Sequence, residues 1–402
     1  MRYKYLSAAS LVLLAAAGAV ALHHRPEPYR FHYEGVLGTS MDVTVIAPNR
    51  AAAETATRVV LDRIDHDAKI LSGYDPASEF SRWFRTGDSP VPVSAELFDV
   101  LGLFDAWRQR TGGALDASAE TVSKVWKDAA ARQQLPSDDE LAAAVQLVRR
   151  PHWRLDAKSR TATHLDRAPL ILNSFTKSFI IDRAVTAGLA AGSVRAMVVN
   201  IGGDLVARGD WSETVGITDP LDNADNAAPM ARIAIRDRAV ATSGNYRRGF
   251  DIGGRHYSHI VDPRTGRPVS QVLSATVVAP HASDAGALAT AFCVLAPEES
   301  ERVADGVPGA EFLLVLADGT RLHSAGWRAL TAEPARRVPI ANPLASLYAS
   351  EQTGLPEQEL TVTVDLAQFQ GRAERPYLAI WIEDKDKFPV RTLTVLYRER
   401  EA

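Results

Sequence analysis

Cysteine and excess positive charge are both scarce in this 402-residue chain, and each shortage excludes a class of protein. The sequence has one cysteine, Cys293, so it forms no internal disulfide and offers no cysteine cluster for zinc or an iron–sulfur centre. Lysine and arginine number 45 against 49 aspartate and glutamate residues, which gives a net charge of −4. Because no basic excess is present to neutralise a phosphate backbone, we expect no nucleic-acid partner. The Gly-x-Gly-x-x-Gly and Walker signatures of the common nucleotide-binding folds are missing as well.

The first 21 residues have the pattern of an export signal. Arg2 and Lys4 precede an apolar stretch from Leu6 to Leu22, and Ala19-Val20-Ala21 fits the small-x-small cleavage pattern. We therefore expect a signal peptide over residues 1–21 and a periplasmic protein. If the segment is retained, it would anchor the protein to the outer face of the inner membrane, since roughly 17 apolar residues is the lower limit for a membrane span.

Between residues 29 and 330, strand-like and helix-like segments alternate without a regular βαβ order, which predicts an α+β domain. Hydrophobic spacing and capping residues predict helices over 51–71, 138–149, 176–191 and 284–296. Alternating patterns predict hairpins over 31–48 and 153–165 and strands over 196–201, 231–241, 256–261 and 273–279. The periodicity lapses over 331–345, which predicts a linker. Residues 346–402 read as a small, incomplete β unit with strands at 360–366, 377–383 and 390–397.

Two loops carry residue types suited to chemistry. His259 precedes a turn and is placed to act alone as an acid or base. His256 lies three residues earlier, and in a strand this odd offset puts the two rings on opposite faces, so a shared metal is not expected. Gly202 and Gly203 follow a buried strand. They form either a plain hairpin turn or a turn whose backbone N–H groups approach phosphate oxygens.

Eight short blocks follow one another between residues 32 and 325, at 38–39, 72–82, 112–116, 177–183, 201–204, 241–244, 259–268 and 287–291. In this order they resemble the ApbE family, the FAD:protein FMN transferases of the bacterial envelope. The resemblance implies an α+β fold with mixed sheets and packed helices, and with FAD bound in a cleft. It also implies transfer of FMN from FAD to a Thr or Ser hydroxyl of an exported or membrane-bound redox protein. AMP would be released, and Mg2+ would assist.

The resemblance also implies roles for particular residues. The candidate FAD-binding residues are Tyr74, which would pack on the flavin, and Ala114, Leu115, Asp116, Lys177, Gly202, Gly203 and Ile260. His259 is the candidate catalytic residue, in a proton-handling role. Each of the main candidates also has an ordinary structural explanation. Tyr74 would be a half-buried loop aromatic, Asp116 a turn cap, Lys177 a solvated helix-start residue and His259 a scaffold for its turn.

The cation site of the family is only partly present. The family pairs an Asp with a Thr four residues later on one helix face; here Thr290 is present, but position 286 is glycine. If both residues are helical, Asp284, the nearest acid, lies about 120° around the helix from Thr290. It would reach a shared cation only if the backbone at the N-terminal end of that helix is not helical. Ser174 occupies the other metal-side position, in a loop where the family's Asp-Leu-Gly-Gly-Ile-Ala-Lys-Gly becomes Ile-Leu-Asn-Ser-Phe-Thr-Lys-Ser, residues 171–178. Ser174, Asp284 and Thr290 are thus the candidate metal ligands, and flavin binding is better supported than metal-dependent turnover.

Several alternatives stay open from the sequence. Water could replace the acceptor hydroxyl, which would make the chain an FAD pyrophosphatase. The chain could instead bind or deliver FAD without catalysis, or be a structural envelope protein. The stretch from residue 375 to 393 resembles the start of a small periplasmic domain of unknown function that is found beside ApbE-like proteins. This resemblance implies a docking role, and the alternative is a β appendage that covers the core.

Overall fold

The computed structural model describes residues 28–222, 228–245 and 248–331, together with the backbone of two strands near the C-terminus. The expected signal segment 1–21, the expected linker after residue 331 and the strand expected at 360–366 lie outside the described residues. The chain divides into two compact units, Met1–Arg336 and Arg337–Ala402. In the second unit β18 (Leu378–Glu383) pairs with β19 (Pro389–Leu396), so two of the three expected strands form a hairpin.

An eight-stranded antiparallel sheet organises the first unit. In spatial order its strands are β1 (Pro28–Val36), β2 (Thr39–Ile46), β6 (Ala196–Ile201), β7 (Asp204–Gly209), β10 (Arg238–Gly244), β15 (Val272–Ala279), β16 (Glu311–Leu316) and β17 (Arg321–His323). The smaller sheets contain β3 (Val91–Pro92), β4 (Trp153–Asp156), β5 (Thr161–His164), β8 (Glu213–Ile217), β9 (Ala231–Ile235), β11 (Gly249–Ile252), β12 (Arg255–Ser258), β13 (Val261–Asp262) and β14 (Arg267–Pro268).

The helices of the described residues pack in three hydrophobic clusters, the largest of which lies on one face of the large sheet. They are α1 (Arg50–Leu71), α2 (Glu79–Phe84), α3 (Ala95–Arg110), α4 (Glu120–Ala131), α5 (Asp138–Val148), α6 (Thr176–Ala190), α7 (Ala282–Val294), α8 (Pro297–Asp305) and α9 (Trp327–Leu330). The main core joins α1, α3, α6 and α7 to β2, β6 and β15. A second cluster on the opposite face lies under β8, β9 and α9. The α+β class predicted from the sequence is confirmed.

Most predicted elements form because local signals and burial agree. The predicted helix over 138–149 is α5, and it begins with a capping box in which Ser137 and Glu140 exchange side-chain to backbone hydrogen bonds. The strand predicted over 231–241 is wrong as a single element, because it is divided between β9 and β10. Asp237, at the break, has a φ of +50°, a left-handed conformation that Asp tolerates better than most residues. Its carboxylate accepts a hydrogen bond from the Gly209 backbone N–H at 2.7 Å, which holds this turn in place.

A buried ion-pair network joins α1, α3 and α6. The carboxylate of Asp67 has no exposed surface, and it accepts hydrogen bonds from Arg63 Nη2 at 2.7 Å and from Arg183 Nε at 3.2 Å. The same two guanidinium groups donate to Glu96 Oε1 at 2.9 and 2.8 Å. Among the described residues, His66, Asp67 and Glu96 have ligand atoms close enough to hold a metal ion. Because arginines already occupy both carboxylates, we interpret the network as structural.

The network predicts that alanine variants of two acidic residues of α1 lose very different amounts of unfolding free energy. Replacing Asp67 by alanine leaves Arg63 and Arg183 with Glu96 as their shared partner and removes charge-assisted hydrogen bonds to a fully buried carboxylate, so it should lower the free energy of unfolding by about 1.5–3 kcal/mol. The control is Glu54→Ala, which removes the exposed partner of Arg50 and should cost less than about 1 kcal/mol. Urea unfolding of both variants measures the difference. Equal losses would contradict a structural role for the network.

Candidate active site

Four segments that are distant in sequence meet at one end of the helical layer. Ile171, in the loop before α6, donates its N–H to the carbonyl of Ala117, which follows α3. Thr290 of α7 donates its hydroxyl to the carbonyl of Ser174 in the same loop, at 3.1 Å. Lys177, in the first turn of α6, donates to the carbonyl of Gly202 between β6 and β7, at 3.4 Å. These bonds bring candidate residues from three sequence blocks, Lys177, Gly202 and Thr290, together with Ser174 on one surface, here called the Lys177 surface.

Tyr74 lies at the rim of this surface, in the loop that follows α1. Its side chain is 78% exposed, so it is not the half-buried loop aromatic that the sequence left as an alternative. The ring is nevertheless held in place, because Asn173 Nδ2 donates to the Tyr74 hydroxyl at 2.6 Å. Ser72 Oγ accepts from the Tyr74 backbone N–H at 3.2 Å. An exposed and oriented aromatic face is suited to stacking on a planar ligand.

The turn after α3 holds Ala114, Leu115 and Asp116, and all three are buried. Asp116 caps the short 3₁₀ turn that follows: its Oδ1 accepts from the Ser118 backbone N–H at 2.8 Å and from the Ser118 hydroxyl at 2.6 Å. Its Oδ2 lies 2.8 Å from Arg108 Nε. The capping explanation therefore describes what this carboxylate does here. Contact of these three residues with FAD stays a prediction.

Lys177 is half-buried and paired rather than solvated. Its Nζ lies 3.4 Å from Asp204 Oδ2, and Ser178 Oγ donates to the same carboxylate oxygen at 2.8 Å. Burial raises the pKa of Asp204, and the Lys177 ammonium and the Ser178 hydroxyl oppose that rise. Asp204 and Ser178 were not among the site residues predicted from the sequence, although Ser178 was visible as a departure from the family's loop. Together they fix the position of the ammonium group.

The glycine pair between β6 and β7 forms a hairpin turn. Gly202 and Gly203 have φ values of +55° and +93°, and a Cβ at Gly202 would lie 2.7 Å from Thr39 Cγ2. Glycine is therefore required at position 202. The Gly202 N–H donates to the Ser40 carbonyl, and the Gly203 N–H donates to Asn200 Oδ1. Because both N–H groups have partners, the geometry favours the hairpin explanation over a phosphate cradle.

His259 follows β12 and is held by the backbone. Its Nδ1 lies 3.0 Å from the carbonyl of Arg248, and since a carbonyl only accepts, Nδ1 carries the proton and Nε2 is the basic nitrogen. Burial lowers the pKa of His259, and the nearby charges of Arg248 and His256 add to that effect. His256 has a different partner, Asp251, at 2.8 Å. Ile260 is partly buried against the main core.

Among the described residues, no hydrogen bond or ion pair joins His259 or Ile260 to the Lys177 surface. The turn that contains Arg264 packs on the turn after α3, where a Cβ at Gly113 would lie 3.7 Å from Arg264 Cγ. The same turn borders a cavity of about 470 Å3, lined by Gly112, Glu299 and three arginines, Arg110, Arg264 and Arg302. None of the predicted FAD-binding residues lines this cavity.

The residues present do not fit a carboxylate-anchored magnesium site. Thr290 Oγ1 and the Ser174 carbonyl are adjacent oxygens, and both are uncharged. The helix α7 begins at Ala282, so Asp284 is already helical. It lies six residues before Thr290, about 9 Å along the axis and about 120° around it. Burial raises the pKa of Asp284, and its role as a ligand stays a prediction that this helical geometry disfavours.

Comparison with known proteins identifies the family. The model of the ApbE family matches residues 37–314, and the chain belongs to that family. The resemblance predicted from the sequence blocks is thereby confirmed.

The relatives in this family have a named activity. The FAD:protein FMN transferase of Klebsiella pneumoniae is 28% identical over 282 residues, which cover 66% of this chain and 79% of that protein. The FAD:protein FMN transferase of Treponema pallidum is 29% identical over 316 residues, covering 73% and 86%. The crystal structure of the ApbE protein of Thermotoga maritima superposes with a TM-score of 0.67 at 26% identity, and covers 76% of this chain and all of that one.

The environments of two histidines predict opposite pKa shifts. His259 should titrate below 6.5 because it is buried, and the exposed His32 should titrate above 6.5 because it hydrogen-bonds to Asp42 and Glu34. NMR titration of the ring Cε1–H signals, assigned with His259→Gln and His32→Gln variants, measures both midpoints. If His259 titrates at or above the midpoint of His32, its ring is not the neutral base described here.

Proposed function

We propose that this chain is an FAD:protein FMN transferase that moves FMN from FAD to a Thr or Ser hydroxyl of another protein and releases AMP. The observation that carries the proposal is the convergence of family segments on one surface. Tyr74 and Thr290 each hydrogen-bond to the 171–175 loop, and Lys177 lies in the first turn of α6, which follows this loop. Family membership over residues 37–314 supports the same activity.

The proposed reaction is a displacement at the phosphorus of the FMN half of FAD. The acceptor hydroxyl oxygen forms a new P–O bond, and the bond from that phosphorus to the bridging oxygen breaks, so AMP leaves with the electron pair. His259 Nε2 takes the hydroxyl proton, since its partner nitrogen donates to the Arg248 carbonyl. The Lys177 ammonium supplies positive charge beside the pyrophosphate.

A divalent cation would add charge neutralisation at the pyrophosphate when bound. The adjacent donors offered by this chain, the Ser174 carbonyl and the Thr290 hydroxyl, are neutral. We therefore assign no step of the reaction to Mg2+.

The proposed acceptor is an exported or membrane-bound redox protein, and the proposed location is the periplasm. The export pattern of residues 1–21 supports both. Within the described residues, no helix has the length and apolar character needed to cross a membrane. If the N-terminal segment is retained, it would attach the protein to the inner membrane.

Tyr74 should contribute to flavin affinity through its exposed ring. The Tyr74→Ala variant should bind FAD about 2- to 10-fold more weakly, because an aromatic stacking contact contributes about 0.5–1.5 kcal/mol. Tyr74→Phe should bind nearly as well as the unchanged protein, since the ring remains and only the bond to Asn173 is lost. Leu221→Ala is the control, because Leu221 is also an exposed large apolar side chain. Quenching of flavin fluorescence measures the affinities. Equal affinity of the Tyr74→Ala variant and the unchanged protein would exclude the stacking role.

The reaction itself is tested by AMP release and by the mass of the acceptor. The purified full chain is incubated with FAD, alone and with a co-expressed domain of an exported redox protein, and the intact mass of that domain is measured. We expect AMP release together with a mass gain of one FMN. The His259→Ala variant should be slower by about 100-fold or more, and His256→Ala, which alters an exposed ring nearby, should retain activity.

The other outcomes of that experiment identify the alternatives. AMP release without a mass gain, with any acceptor domain, would identify an FAD pyrophosphatase. FAD binding without AMP release would identify a non-catalytic FAD-binding or delivery protein. No binding of FAD would reject all three flavin functions.

A further inference from the structure

The helices α6 and α7 approach each other closely at Gly286. A Cβ at this position would lie 2.5 Å from Ser178 Oγ, 3.2 Å from Ser178 Cβ and 3.3 Å from Phe175 Cα. The first distance is shorter than real Cβ contacts allow, and the third involves backbone that cannot rotate away. With Ser178 on the facing helix, position 286 therefore accepts glycine and excludes a larger side chain.

Ser178 is not free to move out of this space. Its side chain is buried, and its hydroxyl donates to Asp204 Oδ2 at 2.8 Å. Rotation would remove one of the few groups that stabilise this buried carboxylate. It would also leave the Ser178 Cβ in place, still 3.2 Å from the added atom.

Relative to the family pattern, the larger side chain of the pair stands at position 178 instead of position 286. In the family pattern that the sequence resembles, glycine stands at the position of Ser178 and an acid at the position of Gly286. The serine thus occupies the space next to the missing carboxylate. An acid at position 286 would conflict with Ser178, whereas Gly286 is compatible with it.

We propose that the Ser178–Gly286 pair closes the carboxylate position of the family's cation site and makes FAD binding by this chain independent of a divalent cation. This inference rests on the proposed FAD-binding function. Mg2+ in proteins is usually held by one or two carboxylates together with substrate phosphates. Here the Thr290 hydroxyl and the Ser174 carbonyl are bonded to each other, and the fixed positive charge at the site is Lys177.

The first test is the affinity for FAD with and without a cation. FAD is titrated into the full chain in EDTA and in excess Mg2+, and flavin fluorescence is followed. We expect dissociation constants that agree within about twofold. An affinity that is about tenfold or more weaker in EDTA would overturn the inference and leave the proposed FAD-binding function intact. Absence of FAD binding in both conditions would reject the proposed function and the inference with it.

The second test restores the family pattern. Gly286→Asp alone should lower Tm by several degrees, because the added side chain meets Ser178 and Phe175. The control, Gly87→Asp, places the same residue where a Cβ would meet nothing within 4 Å, and should leave Tm nearly unchanged. The double variant Ser178→Gly/Gly286→Asp should regain most of the lost Tm, because two of the three close contacts are removed.

The double variant should also gain a cation site. Mn2+ binding, measured by electron paramagnetic resonance without flavin, should be about tenfold or more tighter than in the unchanged protein, since a carboxylate joins the neutral donors. Ser178→Gly alone should show no such gain. If the unchanged protein binds Mn2+ as tightly as the double variant, the carboxylate position is not closed and the inference is wrong.

Discussion

The close contact between α6 and α7 is the constraint on which the rest of the site depends. Because Gly286 has no side chain, α7 can lie against Ser178, and this approach brings Thr290 within 3.1 Å of the Ser174 carbonyl. The loop held by Thr290 also contains Asn173, which orients the exposed Tyr74 at the rim. A helix–helix contact in the core therefore sets the position of an aromatic ring at the surface.

The charges of the site follow from the same packing. Ser178, Lys177 and Asp204 form one hydrogen-bonded group in which the carboxylate is largely buried and the ammonium is more exposed. A carboxylate that is buried in this way needs its partners, since an unpaired buried charge is costly. The arrangement holds a positive charge at a fixed place without a metal ion. In the proposed reaction this charge faces the pyrophosphate, and His259 receives the proton of the acceptor hydroxyl.

Sequence patterns predicted the parts of this structure that local physics determines. The spacing of apolar residues predicted a helix over 51–71, which is α1 (Arg50–Leu71), and the Ser137–Glu140 capping box predicted the start of α5. The division of residues 231–241 between two sheets was missed, because it depends on the backbone of Asp237 and on its partner Gly209, which is distant in the sequence. Of the ordered family blocks, those that contain Lys177, Gly202 and Thr290 meet in the structure, and the approach of the 259–268 block to them stays a prediction.

The contacts between those segments were not predictable from local patterns. The bond from Asn173 to Tyr74 spans 99 residues, and no periodicity indicates it. The sequence showed that Gly286 and Ser178 depart from the family, but not that they touch. For Asp284, the sequence left open a non-helical edge; the structure begins α7 at Ala282, which removes the route by which this acid would have reached Thr290.

A crystal structure of the full chain with FAD is the most direct test of the proposed site, because it shows where the cofactor lies. The account predicts the isoalloxazine ring against Tyr74 and the pyrophosphate beside Lys177, with the FMN phosphorus open to an incoming hydroxyl. FAD bound instead in the cavity lined by Arg110, Arg264 and Arg302, with no contact to Tyr74 or Lys177, would contradict it.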